Sequence, residues 1–218
     1  MSTQQGPPNW PTSIEYLSTY EWASSIPYHV KYGYFCLDPE GPPEDEIPTR
    51  KVTRSGTSPV EIRILDNPDH PACGERGLFA TKRISPFSWI LDYIGEINLT
   101  ASIPPERTYT LSYHGPLSID ASERGNQGRC INDWTGIATR PNADFDVYRD
   151  AVSHEVRTGV WSLNQWIEVG DEILAVYGGE FWGDNDGRRR WDPEWDAGEE
   201  EHLREQAAVQ KNSDVKEL

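Results

Sequence analysis

The sequence predicts a mainly β domain made of many short strands, and two observations support this prediction. The 218 residues include 18 glycines and 17 prolines, a content of turn-forming residues that favours short elements over long helices. In addition, no stretch between residues 60 and 182 keeps a helical spacing of apolar residues for three turns, whereas several stretches alternate polar and apolar residues as half-buried strands do. We therefore expect several small β-sheets and few short helices.

Short strands are expected along the whole middle of the chain. Glu61 to Leu65 alternates polar and apolar residues, and Asn67-Pro68 then turns the chain. A turn at Pro141-Asn142 and a break at Gly178-Gly179 bound later runs. Further strands are predicted within residues 78–80, 89–96, 108–113, 117–121, 145–148, 156–163, 166–167 and 173–177.

These patterns divide the chain into three parts. Residues 1–59 are expected to form an aromatic-rich N-terminal extension or small subdomain, because disordered segments lack aromatic residues, with a Pro-rich linker at residues 38–59. Residues 60–182 form the strand-rich domain, and residues 183–218 form an acidic C-terminal tail that is partly helical or disordered. The length fits one large domain with extensions and is sufficient to bury a core.

The composition excludes several classes of partner. A formal net charge of −16 repels nucleic-acid phosphates and anionic lipids, and it attracts a basic protein or peptide. Three cysteines, far apart in the sequence, indicate neither a disulfide framework nor a zinc site, so no metal is expected. The sequence contains neither a basic, apolar leader nor a run of 18 apolar residues. We expect a soluble intracellular protein, nuclear or cytoplasmic.

Two glycine-containing stretches are candidates for a ligand site. Gly125 to Asp133 combines two glycines and two amides before a short apolar run, which predicts a tight turn that delivers a polar side chain into a buried place. Gly74 and Gly77 would let a loop backbone approach a ligand closely. Dinucleotide phosphate binding is not expected, because the full glycine spacing is missing and no helix pattern follows. Alone, a Gly-x-x-Gly stretch is more often a simple turn.

Six stretches occur in a defined order within residues 60–182. They are GERGLFA, LDYIGE, LSIDAS, GNQGRCIND, RPNADF and GDEILAVYGGEFW. This order resembles the SET domain of protein lysine methyltransferases. The resemblance implies a SET-type fold of several small β-sheets with a pseudoknot, in which the segment near Asn132 passes beneath a loop formed by the segment near Tyr177. Such threading is rare in proteins, and it would bring distant stretches into one site.

The resemblance also implies roles for individual residues. It implies S-adenosylmethionine as the cofactor, Tyr177 as the catalytic tyrosine, and Asn142 as a residue that supports the pseudoknot. The implied walls of the substrate channel are Tyr93, Phe145 and Ala175. The implied cofactor-binding residues are Arg76, Gly77, Leu78, Arg129, Asn132, Tyr177 and Trp182.

These implications predict methyl transfer from S-adenosylmethionine to a lysine side chain of a protein, with a histone as a candidate substrate. The reaction is an in-line displacement, so the protein has to align the reacting atoms and exclude water. Lysine has a reference pKa of about 10.4 and must lose its proton before it attacks. An apolar channel beside a sulfonium cation favours the neutral amine, and aromatic walls suit the alkyl stem and the ammonium group.

The chain departs from the family pattern around its central motif. Asp133 occupies the position where the family usually has histidine, Glu75 replaces a glycine of the glycine-rich loop, and the spacer between Asn132 and Pro141 is longer. No Cys-x-Cys cluster follows Trp182. These changes leave open an alternative, in which a catalytically degenerate SET module binds a protein or peptide. A second alternative is a peptide-binding scaffold built on the aromatic N-terminus.

Overall fold

The computed structural model describes residues 5–35, 47–54 and 58–177, and within these ranges the chain is mostly β. In this described part of the chain, fourteen short strands accompany one α-helix, α1 (Tyr28–Phe35), and two 3-10 helices, Thr100–Ser102 and Gln127–Cys130. The strands are β1 (Glu15–Tyr16), β2 (Glu21–Trp22), β3 (Thr49–Arg50), β4 (Val60–Ile64), β5 (Arg76–Ala80), β6 (Trp89–Asp92), β7 (Glu96–Leu99), β8 (Thr110–His114), β9 (Leu117–Asp120), β10 (Arg124–Gly125), β11 (Asn132–Asp133), β12 (Ala143–Asp150), β13 (Val156–Ser162) and β14 (Leu174–Ala175).

The strands form several small sheets, as the sequence predicts. Two sheets have four strands, in the orders β3-β12-β13-β6 and β2-β7-β9-β8. The pairs β1-β10, β4-β5 and β11-β14 form two-stranded sheets. The mainly β fold class is therefore confirmed.

Two clusters of buried apolar side chains hold the sheets together. One cluster surrounds β4, β5 and β13 and includes Leu78 and Ile131. The other lies against the β7-β9-β8 part of its sheet and includes Tyr93 and Ile119. Phe145 packs against both clusters. Burial of each such side chain contributes roughly 1.5–3 kcal/mol, so the alternating strands are fixed with their apolar faces inward.

A parallel pairing joins two segments that are distant in the sequence. In β11 and β14, Asn132 lies opposite Leu174 and Asp133 lies opposite Ala175. The Asn142 side chain donates to the carbonyl oxygen of Glu172 (2.7 Å) and accepts from the N–H of Leu174 (2.8 Å). This pairing corresponds to the expected crossing of the segment near Asn132 with the segment near Tyr177.

The N-terminal segment pairs with strands of the central region. β1 pairs in parallel with β10, and β2 pairs in parallel with β7. Part of the expected linker also has regular structure, because β3 pairs with β12. The boundaries at residues 59 and 182 stay a prediction, and the tail at residues 183–218 lies outside the described residues.

A polar cluster connects residues 47–54 to the β12-β13 sheet. Arg54 donates to the buried carboxylates of Asp92 (3.1 Å) and Asp150. Asp150 also accepts from the N–H groups of Val152 and Ser153. Burial acts to raise the pKa of Asp150, but these N–H groups and the guanidinium together lower that pKa to about 2.

Among the described residues, no helix has the length and apolar character needed to cross a membrane.

Candidate functional site

One buried side chain, Asn126, organises the stretch around residues 125–133. Its Oδ1 accepts from the N–H groups of Ile94 (3.0 Å) and Gly128 (3.2 Å). Its Nδ2 donates to the carbonyl oxygen of Asp92 (2.7 Å). Asn126 therefore caps the 3-10 helix Gln127–Cys130, which leads directly into β11. The predicted delivery of a polar side chain into a buried place is fulfilled by Asn126, a residue to which the sequence analysis assigns no role.

Tyr177 is fixed against the segment that carries Asn132. Its phenol donates to the carbonyl oxygen of Ile131, and its main-chain N–H donates to Oδ2 of Asp133 (3.0 Å). Burial raises the pKa of the Tyr177 phenol, and the neighbouring Tyr109 raises it further. The phenol is therefore neutral near pH 7, where it can donate a hydrogen bond but cannot act as a base.

Asp133 has a clear structural role at this point. Its carboxylate is buried and accepts from two main-chain N–H groups, those of Thr135 (2.9 Å) and Tyr177 (3.0 Å). Buried carboxylates are costly unless they are hydrogen-bonded, and here each oxygen has an N–H partner. Asp133 thus holds the main chain of Tyr177 in place.

A small cavity beside Tyr177 has mostly aromatic and apolar walls. This aromatic cavity has a volume of about 50 Å³, and its lining includes Tyr93, Phe145 and Tyr177. The rings of Tyr93 and Phe145 meet edge to face with centroids 5.6 Å apart. The Tyr93 hydroxyl donates to the carbonyl oxygen of Tyr109 (2.9 Å), and burial raises the pKa of its phenol. Three residues predicted to form the channel or the catalytic centre are thus brought together here.

A larger cavity, which Tyr177 also lines, has more charged and polar residues in its wall. This polar cavity has a volume of about 200 Å³, and its lining includes Glu75, Arg76, Cys130, Asn132 and Tyr177. The Asn132 amide nitrogen donates to the carbonyl oxygen of Arg76 (3.1 Å). Burial raises the pKa of the Cys130 thiol to about 11, so this wall carries no thiolate near pH 7.

Four residues line both cavities, namely Thr108, Tyr109, Arg129 and Tyr177. The Arg129 Nε donates to the carbonyl oxygen of Ala121 (2.9 Å), and its guanidinium lies 4.0 Å from the centroid of the Tyr109 ring. Tyr177 and the stacked pair of Arg129 and Tyr109 therefore mark the junction between the aromatic cavity and the polar cavity.

Several predicted site residues do not line either cavity. Leu78 and Ala175 are fully buried in the core. Gly77 is also buried, and a Cβ placed on it would lie 2.5 Å from Oε1 of Glu172. Its lack of a side chain thus makes room for that carboxylate. Trp182 lies outside the described residues.

Other residues of the site were not predicted from the sequence. Tyr109 belongs to a stretch read only as a strand, and no local pattern shows that its ring reaches Arg129. His70 lies in the turn before β5, and Glu172 forms an isolated antiparallel bridge with Phe79 of β5. Their side chains meet, with His70 Nε2 3.1 Å from Glu172 Oε2. A contact between two side chains so distant in the chain has no signal in one sequence. Within the described ranges, no group of three or more His, Cys, Asp or Glu residues is arranged to hold a metal ion.

Comparison with solved structures shows the fold class. ATXR5 in complex with a mono-methylated histone H3.1 superimposes with a TM-score of 0.55 and 14% identity, over 77% of this chain and 82% of the other. The chain therefore has the fold of SET domains, and the resemblance found in the sequence is confirmed at the level of fold.

Two further similar structures are large assemblies that this chain matches only in part. One is ctPRC2 in an autoinhibited conformation bound to S-adenosylmethionine (TM-score 0.46, 24% identity, 59% of this chain). The other is a humanized mutant of the Chaetomium thermophilum Polycomb Repressive Complex 2 (TM-score 0.46, 23% identity, 57% of this chain). The chain spans only 16% of the length of each. No protein-family profile matches the sequence, and a search of curated proteins finds no match.

Proposed function

We propose that this chain transfers a methyl group from S-adenosylmethionine to a lysine side chain of a basic protein such as a histone. The observation that carries the proposal is the position of Tyr177 at the junction of the aromatic cavity and the polar cavity. Methyl transfer from a sulfonium to an amine requires two reactants to meet along one line with water excluded. Two cavities that share the half-buried Tyr177, together with Thr108, Tyr109 and Arg129, suit such an arrangement.

The polar cavity has the donor and acceptor groups that the cofactor requires. S-adenosylmethionine, when bound, supplies a sulfonium methyl group, and it carries an α-amino group and a carboxylate. Asn132, Arg76 and Arg129 all line this cavity. A guanidinium pairs well with a carboxylate, and an amide oxygen accepts from an ammonium group. The residues present therefore fit this cofactor.

The aromatic cavity suits the side chain of a lysine. Tyr93 and Phe145 can pack against the alkyl stem, and aromatic faces attract an ammonium group. Desolvation in such a cavity lowers the pKa of the incoming amine. Because burial raises the pKa of Tyr177, its phenol holds the geometry of the site and does not remove the lysine proton.

The charge of the chain supports a basic substrate. A net charge of −16 attracts a Lys/Arg-rich protein and accelerates its encounter with the site. The similar structure of ATXR5 contains histone H3.1. By analogy, we propose a histone as the substrate of the present chain. A histone substrate implies that the chain acts on chromatin in the nucleus.

The decisive experiment measures radiolabelled methyl transfer to histones and to a cell extract. The Tyr177→Phe variant should lose about 10²–10³-fold in rate, the loss typical when one positioned hydroxyl is removed from a reaction centre. Tyr16→Phe is the matched control, because the Tyr16 hydroxyl bonds Gln127 (2.9 Å) and Tyr16 lines neither cavity. Full activity in Tyr177→Phe would overturn the role of Tyr177.

The same assay separates catalysis from the non-catalytic alternative. A degenerate SET module would bind a basic peptide without any transfer of label. Calorimetry with S-adenosylhomocysteine and with a histone peptide distinguishes the two cases. Peptide binding without binding of S-adenosylhomocysteine would replace the proposed enzyme with a binding module.

A further inference from the structure

The carboxylate of Glu172 lies in a polar network beside the polar cavity. Only 8% of its side chain is exposed, and each of its oxygens has a partner. Oε1 accepts from Nδ2 of Asn132 (2.8 Å), and Oε2 lies 3.1 Å from Nε2 of His70. A buried carboxylate with two such partners is satisfied, and it fixes the direction of the groups that donate to it.

The ring of His70 has a defined proton arrangement. Its Nδ1 accepts from the main-chain N–H of Ala72 (3.0 Å), so Nδ1 carries no proton. The proton of the neutral ring is therefore on Nε2, which donates to Glu172. Only 9% of the His70 side chain is exposed, so water competes little for this bond.

The backbone of β5 is shaped to admit this network. Gly77 lies directly beneath the Glu172 carboxylate, at a distance that no Cβ allows. Arg76, the preceding residue, offers its carbonyl oxygen to Asn132 (3.1 Å). Two neighbouring residues of one strand thus contribute to the same network, one by its carbonyl group and one by its missing side chain.

The network determines which atom of Asn132 remains available to a ligand. The amide has two N–H donors and one carbonyl oxygen. Nδ2 donates to two pure acceptors, the carbonyl oxygen of Arg76 and the carboxylate of Glu172. A flipped amide would place its oxygen against both acceptors, so the orientation is fixed. Within residues 5–35, 47–54 and 58–177, Oδ1 of Asn132 accepts no hydrogen bond. Asn132 is one of the residues that line the polar cavity.

We propose that His70 and Glu172 are positioning residues, which hold Asn132 so that its Oδ1 accepts a hydrogen bond from the α-amino group of the cofactor. The proposal rests on the proposed function, and it explains how the site is organised although Asp133 stands where the family usually has histidine. His70 reaches the region from the turn before β5 and supports Asn132 through Glu172. Of His70, Glu172 and Asn132, only Asn132 contacts the amino group of the cofactor directly.

The test compares two ligands that differ in the amino-acid part. S-adenosylhomocysteine carries the α-amino group, and methylthioadenosine lacks it. Calorimetry on the full chain should show that wild type prefers S-adenosylhomocysteine. In His70→Leu and Glu172→Gln this preference should fall about 10-fold, since a hydrogen bond to a charged group is weakened. The affinity for methylthioadenosine should stay within about 2-fold, because that ligand has no amino group for Asn132 to contact.

Two matched variants separate positioning from general damage. In His70→Gln the side-chain amide can still donate to Glu172, so most of the preference for S-adenosylhomocysteine should return. Glu168→Gln changes an exposed carboxylate of the same segment, which pairs with Arg83, and should change neither affinity. Thermal unfolding without ligand shows whether each variant is folded, and His70→Gln keeps the comparison possible if His70→Leu does not fold.

The outcomes are distinguishable. If wild type binds neither ligand, the proposed function fails and this inference fails with it. If wild type prefers S-adenosylhomocysteine and folded His70→Leu keeps that preference, the inference is overturned while the proposed function stands. An equal loss of affinity for both ligands in folded variants also overturns it, because such a loss indicates a general distortion of the cavity.

Discussion

The carboxylate of Asp133 can be tested with a substitution that preserves its shape. Asp133→Asn replaces one carboxylate oxygen with an NH₂ group. In the native chain each oxygen accepts from a different N–H, that of Thr135 (2.9 Å) or Tyr177 (3.0 Å). In the variant, the N–H of Thr135 or that of Tyr177 would face the new NH₂ group, which is itself a donor. Loss of one hydrogen bond to a charged acceptor costs about 1.5–3 kcal/mol, and an unsatisfied buried N–H adds to this, so we expect a loss of about 2–4 kcal/mol in stability.

Urea unfolding of Asp133→Asn and wild type at neutral pH measures this difference directly. Asp120→Asn is the control, because Asp120 is only half-buried and bonds one main-chain N–H, that of Ser122 (2.8 Å). Its ion pair with the partly exposed Arg107 is long (3.7 Å) and contributes little. The control keeps an oxygen for that bond and should lose less than about 1 kcal/mol. If Asp133→Asn loses no more than the control, the carboxylate does not hold the main chain of Tyr177. The proposed methyl transfer should also fall in Asp133→Asn, since Tyr177 is then less firmly placed.

Three further predictions concern the chain crossing, acid and thiol chemistry. Asn142→Ala removes side-chain bonds to two main-chain groups in and before β14, so unfolding in urea should lose about 2–4 kcal/mol. The pKa of Asp150 is lowered to about 2 in the folded chain, whereas its unfolded pKa is about 3.9. At a pH above the unfolded pKa, the carboxylate therefore contributes about 2 kcal/mol to the free energy of unfolding, and this contribution is lost as the pH falls toward 2. Asp150→Asn should remove this part of the acid sensitivity in thermal melts across pH. Burial raises the pKa of Cys130 to about 11 while Cys73 is exposed, so iodoacetamide should label Cys73 before Cys130, as peptide mass spectrometry can show.

Each of these predictions has a result that contradicts it. A loss below about 1 kcal/mol in Asn142→Ala, similar to that of Asn98→Ala, would mean that the crossing does not depend on this amide. Asn98 is a suitable control, because its amide bonds only Glu96 of its own strand. Parallel pH profiles for wild type and Asp150→Asn would refute the acid argument. Equal labelling rates would show that the Cys130 thiol is accessible.

The long strands are predictable from the sequence because their signal is local. Alternation at Glu61 to Leu65 predicts a strand that lies one residue from the observed β4 (Val60–Ile64). The pairs of two-residue strands, such as β1 with β10 and β11 with β14, are different. A two-residue strand is too short to show a period of two, and its existence depends on a partner that is distant in the chain. Their pairing therefore becomes visible only in three dimensions.

The site shows the same division between local and distant signals. Tyr93, Phe145 and Tyr177 lie in recognisable stretches and meet in the aromatic cavity. The functional meaning of Asp133 could not be read from its type, because its two N–H partners are set by how the chain folds back at β14. Glu172 stands within a recognised motif, yet its contact with Asn132 depends on the space left by a glycine on another strand.

The pairing of β11 with β14 also affects the order in which the chain becomes functional during synthesis. β14 lies far along the chain from β11, so the contacts of Tyr177 with Asp133 and Ile131 each close a long loop. Closing a long loop is slow relative to forming neighbouring hairpins such as β12-β13. A nascent chain that has not yet delivered β14 can already form β4-β5 and β12-β13, but it has no completed junction between the two cavities. The junction between the two cavities should therefore form at a late folding step, after most of the scaffold.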